Sequence, residues 1–350
     1  MEFLAYITKG LDRVVQHEIL ETVPETDVRR TSEKYIIFDA PKSSVDQLLD
    51  LKTVDDLHQV LLFKECEAKP DTADVIEVFP FKKLYETKEL LQSIRDLDDT
   101  VSVTSSRYRN DNIQKEEIKT ELGEEVGEQL SLTFTERDHS NFDIRVHVEQ
   151  KNIIISCRLT EKPLYYRSYK HHSREGSLKP SIAAALVRLT DPAPGTRLVD
   201  NFCGVGTILC EGALQNLEPY GGDIDEEAVR FTQDHLRSLS RQWVRNVNQL
   251  DATDSKLPDD YYDLAVSNVP WGEQLELKAV DLYSKVIPEY ARILSDDGSI
   301  VLLGPKPDLV EKHLKENFPD HSVGQFRLGF LGQHPWVNFA YSESTSLNLV

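Results

Sequence analysis

The sequence predicts a mixed α/β protein, in which an α+β region precedes a C-terminal sheet of mainly parallel strands. Two observations predict this fold. Residues 198–214 read as a buried strand, a glycine turn and a helix, and later apolar runs also end in polar residues. Residues 1–160 instead alternate short strands with amphipathic helices. Ligands bind at the carboxyl ends of strands in open α/β sheets, so we expect a site in the C-terminal half.

The glycine turn is the centre of that predicted site. Leu198 and Val199 end an apolar run, and Thr207 begins a helical apolar pattern. Between them, Gly204 and Gly206 permit a turn in which the backbone can approach a ligand closely. A phosphate-binding turn would carry G-x-x-x-x-G-K-[ST] or G-x-G-x-x-G, and neither string is complete here.

Acidic residues follow the next two predicted strands. Asp223 comes about 20 residues after the glycine turn, the spacing at which a carboxylate recognises a ribose in such folds. Asp251 ends a third strand, where it could accept a hydrogen bond from an adenine amino group. Asp225 precedes two glutamates and reads as a helix cap. Because S-adenosylmethionine has no phosphate and needs acids for its ribose and amino groups, it fits this pattern best.

A fourth apolar run, residues 264–266, ends in Ser-Asn-Val-Pro-Trp-Gly. This string resembles the N/D-P-P-Y/F/W motif of class I methyltransferases that methylate amino nitrogens. Together with D-x-F-C-G-x-G-T-I-L-x-E-G-A, it is most similar to the THUMP-domain RNA guanine-N2 methyltransferases. The chain departs from their usual strings at Asn201 and Val269, which replace prolines, and at Val205, which replaces a serine.

The resemblance implies a seven-stranded Rossmann-like methyltransferase domain that uses S-adenosylmethionine and forms N2-methylguanosine in RNA, with tRNA as the expected partner. The catalytic residues that it implies follow the fourth strand: Asn268, Val269, Pro270 and Trp271. The predicted cofactor contacts come from the glycine turn and the strand ends: Asp200, Phe202, Cys203, Gly204, Gly206, Thr207, Asp223, Ile224, Asp251, Ala252 and Asn268. A ribosomal RNA guanine-N2 methyltransferase and an RNA-binding scaffold with a degenerate methyltransferase domain remain alternatives.

Four segments are predicted along the chain: a ferredoxin-like domain (1–64), a THUMP-like RNA-binding domain (65–160), a basic linker (161–177) and the methyltransferase domain (178–350). The strand and helix order of the first segment favours a small α+β unit. The second reads as helix, strand, helix and hairpin, which resembles a THUMP domain. Its long amphipathic helix is predicted at 115–130 and its hairpin strands at 142–148 and 153–159, after a polar loop near residue 70.

The basic linker is the strongest candidate for RNA contact outside the methyltransferase domain. The formal net charge of −20 excludes a protein that binds nucleic acid over its whole surface, because phosphate affinity comes chiefly from lysine and arginine. Residues 161–177 combine cations with tyrosines, a mixture typical of sites that hold unpaired RNA. The RNA-binding candidates lie here and after the first strand of the THUMP-like segment: Arg107, Arg109, Arg167, Lys170 and Arg174.

The remaining composition favours a cytoplasmic protein without a metal. The four cysteines form no C-x-x-C pair, and no histidines stand at metal-ligand spacing. No apolar run approaches the length needed to cross a membrane, and the N-terminus lacks the pattern of a signal peptide. We therefore expect a monomeric, cytoplasmic protein that binds no metal and no membrane.

Overall fold

The structure is a computed structural model, and it describes residues 1–136, 140, 142–270, 279–329 and 334–342. The chain forms two compact units. The first comprises Met1–Ile7 and Ile19–Leu164, and the second comprises Thr8–Glu18 and Tyr165–Val350. No helix of the described residues combines the length and the apolar character needed to cross a membrane.

The described chain up to residue 158 contains eight strands and five α-helices. The strands are β1 (Glu2–Tyr6), β2 (Asp27–Thr31), β3 (Tyr35–Asp39), β4 (Asp56–Glu65), β5 (Thr100–Tyr108), β6 (Thr133–Phe134), β7 (Phe142–Glu149) and β8 (Asn152–Arg158). The helices are α1 (Asp12–Thr22), α2 (Val45–Leu49), α3 (Thr72–Glu77), α4 (Phe81–Ile94) and α5 (Lys115–Leu130).

All eight strands belong to one sheet, in the order β2-β3-β1-β4-β8-β7-β5-β6. β5 pairs in parallel with β6 and β7, and the other neighbours are antiparallel. The pairing of β4 with β8 makes the sheet continuous across the predicted boundary between residues 64 and 65. The division of residues 1–160 into two domains therefore stays a prediction, because their strands form one continuous sheet.

Helix α5 shows how glycines permit close packing in the first unit. An added Cβ on Gly123 would lie 2.3 Å from the Phe134 ring, and one on Gly127 would lie 2.9 Å from the Leu132 carbonyl oxygen. Such distances are shorter than van der Waals contact, so larger residues would push β6 away from the helix. Ser131, in the left-handed region at φ 54°, ends the helix and returns the chain toward β6.

The described chain from residue 178 onward contains seven strands and five α-helices. The strands are β9 (Arg197–Asp200), β10 (Glu218–Asp223), β11 (Val247–Gln249), β12 (Tyr262–Asn268), β13 (Leu294–Gly304), β14 (His321–Arg327) and β15 (Trp336–Ser342). The helices are α6 (Pro180–Arg188), α7 (Thr207–Leu214), α8 (Glu226–Leu239), α9 (Ala279–Ile293) and α10 (Pro307–Asn317).

These seven strands form a second sheet, in the order β11-β10-β9-β12-β13-β15-β14. The first five positions are parallel, and β15 and β14 add an antiparallel edge. β9 lies between β10 on one side and β12 on the other, so the strand order reverses there. This arrangement is Rossmann-like, and such a reversal is where open α/β sheets bind ligands.

The first unit buries a network of charged side chains around Asp56. The Arg158 guanidinium, which is fully buried, donates to Asp56 over 3.0 Å and lies 2.7 Å from Asp143. Arg145 lies 3.1 Å from the same Asp56 oxygen, and His58 lies 3.2 Å from it. Burial lowers the pKa of His58, so this ring is neutral at pH 7, and the two arginines face the two carboxylates of Asp56 and Asp143. Burial would raise the pKa of Asp56, but these partners hold it at about 2.

We expect Asp56→Asn to lower the free energy of unfolding of the first unit by about 3–5 kcal/mol, because it leaves Arg158 buried with half of its charge compensation. The pKa of Asp56 is depressed in the folded state, so its contribution is complete above about pH 4 and is lost as the pH falls toward 2. Urea unfolding between pH 2 and 7 measures both effects.

Asp27→Asn is the matched control, because Asp27 pairs with Arg29 at 3.1 Å on the exposed surface. This substitution should leave the free energy of unfolding nearly unchanged. Equal losses for the two variants would contradict the importance that we assign to the buried network.

Candidate active site

A cavity of about 710 Å³ lies in the second unit, at the carboxyl ends of β9, β10 and β12. Most of the predicted cofactor and catalytic residues line it: Asp200, Phe202, Cys203, Gly204, Thr207, Asp223, Ile224, Asp251, Ala252, Asn268 and Pro270. Gly206 and Val269 are not among its lining residues, and Trp271 lies outside the described residues. The structure therefore brings together residues that are up to 70 positions apart in the chain.

The glycine turn is folded back against the end of β10. The Gly204 N–H donates to Asp223 Oδ2 over 2.9 Å, and the Cys203 N–H donates to the Gly222 carbonyl over 2.9 Å. Gly204 and Gly206 have φ values of 53° and 79°, in the left-handed region that favours glycine. An added Cβ on Gly206 would lie 2.6 Å from Thr232, whereas one on Gly204 would meet nothing within 4 Å. Gly206 therefore packs on α8, and Gly204 faces open space.

Asp223 and Asp225 have different structural roles at the end of β10. Asp223 accepts the Gly204 N–H on one oxygen and the Asp225 N–H, over 3.0 Å, on the other. An ionised carboxylate has about four acceptor positions, so Asp223 retains capacity for ribose hydroxyls. Asp225 accepts the Glu227 N–H over 2.9 Å and caps α8, which confirms the predicted helix cap.

Asp200 is a buried carboxylic acid at the end of β9. Its Oδ1 accepts the Phe202 N–H over 3.0 Å and the Ser267 hydroxyl over 2.6 Å. The described residues place no hydrogen-bond donor on its Oδ2. Burial raises the pKa of Asp200 to about 7, and the charge of Asp223 adds to this effect, although the two donors oppose it. Asp200 therefore changes between its neutral and ionised forms near neutral pH.

Ser267 and Tyr290 connect Asp200 to helix α9, and the sequence patterns predicted a functional role for neither residue. The two hydroxyl groups lie 2.6 Å apart, and the Asn201 N–H donates to the Tyr290 oxygen over 3.1 Å. Ser267 and Tyr290 are both fully buried. Ser267 could have been recognised from the sequence, because it directly precedes Asn268 at the end of the same predicted strand. Tyr290 lies in a helix far along the chain and carries no such signal.

Asp251 and Ile224 lie at the ends of the neighbouring strands. Asp251 Oδ1 accepts the Thr253 N–H over 2.9 Å and its hydroxyl over 2.7 Å, and these bonds lower the pKa of Asp251. Ile224 is 69% exposed, which is unusual for an aliphatic side chain beside a cavity. Ala252 is buried on the same cavity wall. These two apolar side chains could contact the faces of a planar ring.

Asn268 ends β12 at the edge of the cavity. Its Nδ2 donates to the Gly176 carbonyl over 3.1 Å, so the basic linker orients this amide. Val269 is fully buried, and its N–H donates to the Leu303 carbonyl over 3.0 Å. Pro270 is exposed and lines the cavity. The first three residues of the predicted catalytic string are therefore anchored at the end of one strand.

The basic linker forms part of the cavity wall, which the sequence analysis did not predict. Residues 174–178 line the cavity. Arg167 donates to Glu211 over 3.0 and 3.3 Å, and the Tyr169 hydroxyl donates to it over 2.8 Å. Glu211 is fully buried in α7, so a largely buried ion pair holds this segment against α7 in the second unit.

Two other cations of the linker also have partners in the second unit. Lys170 donates to the Leu178 carbonyl over 2.5 Å, and burial lowers the pKa of Lys170 to about 8. Arg174 lies 2.7 Å from Asp225, and both side chains are about 40% exposed. His172 adds a backbone contact, because its N–H donates to His235 Nε2 over 2.9 Å. The roles of Arg167, Lys170 and Arg174 in RNA binding stay predictions.

Arg107 and Arg109 lie in the first unit, at the end of β5. Arg107 donates to the Ile113 carbonyl over 2.6 Å. The Arg109 guanidinium lies 4.9 Å from the centre of the Tyr108 ring, and the Lys34 ammonium lies 4.2 Å from it. Two cations therefore share one partly exposed aromatic ring, a combination suited to phosphate and base contacts.

The charged and polar residues that line the cavity fit S-adenosylmethionine. Its charged lining residues are five acids and one cation: Glu175, Asp200, Asp223, Asp225, Asp251 and Arg174. This excess of carboxylates opposes an anionic ligand and favours a cationic one with hydroxyl groups. The buried Asn201 amide and Thr207 hydroxyl have no hydrogen-bond partner among the described residues, so polar capacity remains beside the turn. Burial raises the pKa of the Cys203 thiol well above its usual range, which disfavours a thiolate nucleophile there.

Residues 167–334 match the family described as UPF0020, an RMKL-like methyltransferase domain. The match covers the cavity and its glycine turn, and it confirms the methyltransferase resemblance that the sequence motifs carry. The matched range begins at residue 167, within the predicted basic linker (161–177).

Two curated relatives and one solved structure extend this comparison. The chain is 34% identical over 182 residues to the tRNA (guanine(6)-N2)-methyltransferase of Thermus thermophilus, which covers 50% of this chain and 53% of the relative. It is 25% identical over 252 residues to the U6 snRNA (guanine-N(2))-methyltransferase of Bos taurus, which covers 69% of this chain and 49% of the relative. The chain thus spans about half the length of these relatives.

The crystal structure of TrmN from Thermus thermophilus is similar over nearly the whole chain. The TM-score is 0.79 at 21% identity, and the match covers 97% of this chain and 99% of that chain. At this identity the similarity concerns the fold. It confirms a mixed α/β fold with a Rossmann-like methyltransferase domain.

Proposed function

We propose that the protein is an S-adenosylmethionine-dependent RNA methyltransferase that forms N2-methylguanosine in tRNA. The observation that carries the proposal is the acid-lined cavity at the sheet reversal, with Asn268 at its edge. The cofactor would contact Asp223 through its ribose, Asp251 through its adenine and Asp200 through its amino group. The methyltransferase family match and the guanine-N2 specificity named for both relatives support the reaction class.

The proposed chemistry depends on alignment of the guanine amino group. The lone pair of this group is delocalised into the ring, so the site must direct it toward the methyl donor. S-adenosylmethionine supplies an electrophilic methyl group on its sulfonium. Asn268 Oδ1 would accept one amine N–H, and the Val269 carbonyl would accept the other. Trp271 would stack on the base, and the released proton would pass to water.

The N-terminal region would hold the RNA. We retain the proposed ferredoxin-like (1–64) and THUMP-like (65–160) segments, the linker (161–177) and the catalytic domain (178–350). Since the net charge is −20, RNA binding requires local cations such as Arg109, beside the Tyr108 ring, and Arg174 at the cavity. The base must leave its stack to reach the cavity, which costs least in unpaired or frayed RNA.

Two alternatives follow from specific observations. The Bos taurus relative acts by its name on U6 snRNA, so a non-ribosomal, non-transfer RNA is a second candidate substrate. The second alternative is an RNA-binding scaffold that has lost catalysis. It is based on the departures from the family strings at Asn201, Val205 and Val269. tRNA remains the proposed substrate because the relative with the higher identity is named for it.

We expect the full chain to bind S-adenosylmethionine with micromolar affinity in calorimetric titration. Asp223→Ala should abolish binding, because it removes the ribose acceptor and one anchor of the glycine turn. Incubation with total tRNA and with U6 snRNA, followed by mass spectrometry of the nucleosides, identifies the product. N2-methylguanosine in tRNA supports the proposal, and its appearance only in U6 snRNA corrects the substrate. No cofactor binding at millimolar concentration would overturn the enzyme assignment.

Asn268→Ala should leave cofactor affinity almost unchanged and slow single-turnover methylation by about a hundredfold or more, because it removes an acceptor positioned for the reacting amine. Titration and rapid-quench kinetics measure the two quantities separately. A variant with weakened cofactor binding and a normal single-turnover rate would refute the role that we give to Asn268.

Replacing Arg109 and Arg174 together with glutamine should reduce the slope of log affinity against log salt for tRNA by up to about two units, about one for each lost phosphate contact. Arg167 is left intact, because its loss would remove the ion-pair partner of the buried Glu211. Lys312→Gln with Lys315→Gln, on the exposed side of α10, is the charge-matched control. If both double variants give the same slope, the tRNA is held elsewhere.

A further inference from the structure

A pair of buried hydroxyl groups, those of Ser267 and Tyr290, lies beside Asp200. Ser267 is fully buried at the end of β12, and Tyr290 is fully buried in α9. Neither side chain is among the residues that line the cavity. Ser267 nevertheless donates over 2.6 Å to Asp200, which does line it, and Tyr290 reaches this carboxylate through its own 2.6 Å contact with Ser267. They are therefore candidates for an indirect role in ligand binding.

The direction of each hydrogen bond follows from counting protons. If Asp200 is ionised, Ser267 must donate its only hydroxyl proton to Oδ1. Ser267 then accepts from Tyr290, and the Tyr290 oxygen accepts the Asn201 N–H. Each donor in the chain from Asn201 to Asp200 has an acceptor, so the network is complete for the ionised form.

A proton on Asp200 would go to Oδ2, because Oδ1 already accepts two donors. The Ser267 hydroxyl would then donate to a neutral carboxyl group, and hydrogen bonds to an ionised acceptor are roughly twice as strong. Tyr290, which donates to Ser267 in this order, polarises the hydroxyl and strengthens its bond to Oδ1. The hydroxyl pair therefore favours the ionised carboxylate, which opposes the effect of burial on the pKa of Asp200.

Asn201 contributes a backbone group that the resembled methyltransferase string lacks. The usual string has proline at this position, and proline has no N–H to donate. Here the Asn201 N–H occupies the Tyr290 oxygen and directs the phenol proton toward Ser267. This departure from the family string thus adds a donor to the network.

We propose that Tyr290 and Ser267 are positioning residues that keep Asp200 ionised and leave its Oδ2 to bind the ammonium group of an amino-acid ligand. Both donors of Oδ1 are supplied by the protein, and Oδ2 has none among the described residues. A primary ammonium would satisfy this oxygen as a charge-assisted hydrogen bond. The inference rests on the proposed function, because the ligand is the methionine end of S-adenosylmethionine.

Other titratable groups near Asp200 do not alter the comparison between the unmodified protein and a Tyr290 variant. Asp223 faces Asp200 from β10, and its charge raises the pKa of Asp200. Cys203 lies in the turn, and burial raises the pKa values of its thiol and of the Tyr290 phenol, so both are neutral near pH 7. Asp223 and Cys203 are unchanged in a Tyr290 variant, and their influence cancels in the comparison.

The test is the pH dependence of ligand binding by the full chain, measured by titration calorimetry between pH 5.5 and 7.5. An α-amino group has a pKa of about 7.7–8.0, so the ligand stays mostly cationic in this range. With an Asp200 pKa of about 7, affinity for S-adenosylmethionine should fall about 15- to 20-fold from pH 7.5 to pH 5.5, since part of the ligand is already neutral at pH 7.5. 5′-Methylthioadenosine, which lacks the amino-acid end, should bind equally well across the range.

The fall of affinity at low pH is the acidic limb of the binding curve. Tyr290→Phe should move this acidic limb to higher pH by roughly half to one unit, which weakens S-adenosylmethionine binding at pH 6 by about three- to tenfold. Ser267→Ala, which removes the direct donor, should shift the limb at least as far. Methylthioadenosine affinity should not change in either variant. Tyr283→Phe is the matched control, since this buried phenol of α9 donates to the Pro305 carbonyl and not to Asp200.

An unchanged acidic limb in Tyr290→Phe and Ser267→Ala would overturn the inference. So would an equal loss of methylthioadenosine affinity, because that result indicates a purely structural effect. These results leave the proposed function intact. If the unmodified protein binds no S-adenosylmethionine at any pH, the proposed function fails and the inference fails with it.

Discussion

The close approach of β10 to its neighbours is the constraint on which the site depends. An added Cβ on Gly221 would lie 2.0 Å from the Asp200 carbonyl oxygen, and one on Gly222 would lie 1.9 Å from the Asn248 carbonyl oxygen. Backbone atoms cannot yield to such contacts as a flexible side chain can. The glycine pair therefore brings Asp223 close enough to accept the Gly204 N–H and hold the turn.

The charge of the cavity is compatible with the proposal that an acidic protein binds both a cofactor and an RNA. The carboxylates converge at the strand ends, where a cationic cofactor would balance them. The cations of the basic linker differ in the burial of the carboxylates with which they pair. Arg167 compensates the buried Glu211, whereas Arg174 pairs with a half-exposed aspartate at the cavity. A sequence motif shows that cations are concentrated in a segment, but burial decides which of them stabilise the fold.

Much of the fold follows from local patterns. The helix predicted at 115–130 is observed as Lys115–Leu130, and the predicted hairpin strands correspond to β7 and β8. β2 was missed because it is a polar edge strand, formed by pairing with β3 and not by an alternating apolar pattern. The short helix α3 was missed for a similar reason. Its start depends on the Asp71 capping box, within a segment that reads as a polar loop.

The sequence by itself predicted which polar residues gather at the strand ends. Strand ends, glycines and spaced acids point to Asp200, Asp223, Asp251 and Asn268, which line one cavity, because each lies within a local motif whose backbone geometry is predictable. The tertiary structure alone decided what surrounds them. The contacts of Ser267 with Asp200 and of Gly176 with Asn268 join residues 67 and 92 positions apart. Local periodicity carries no information about such pairs, since they form only when the strands and helices pack.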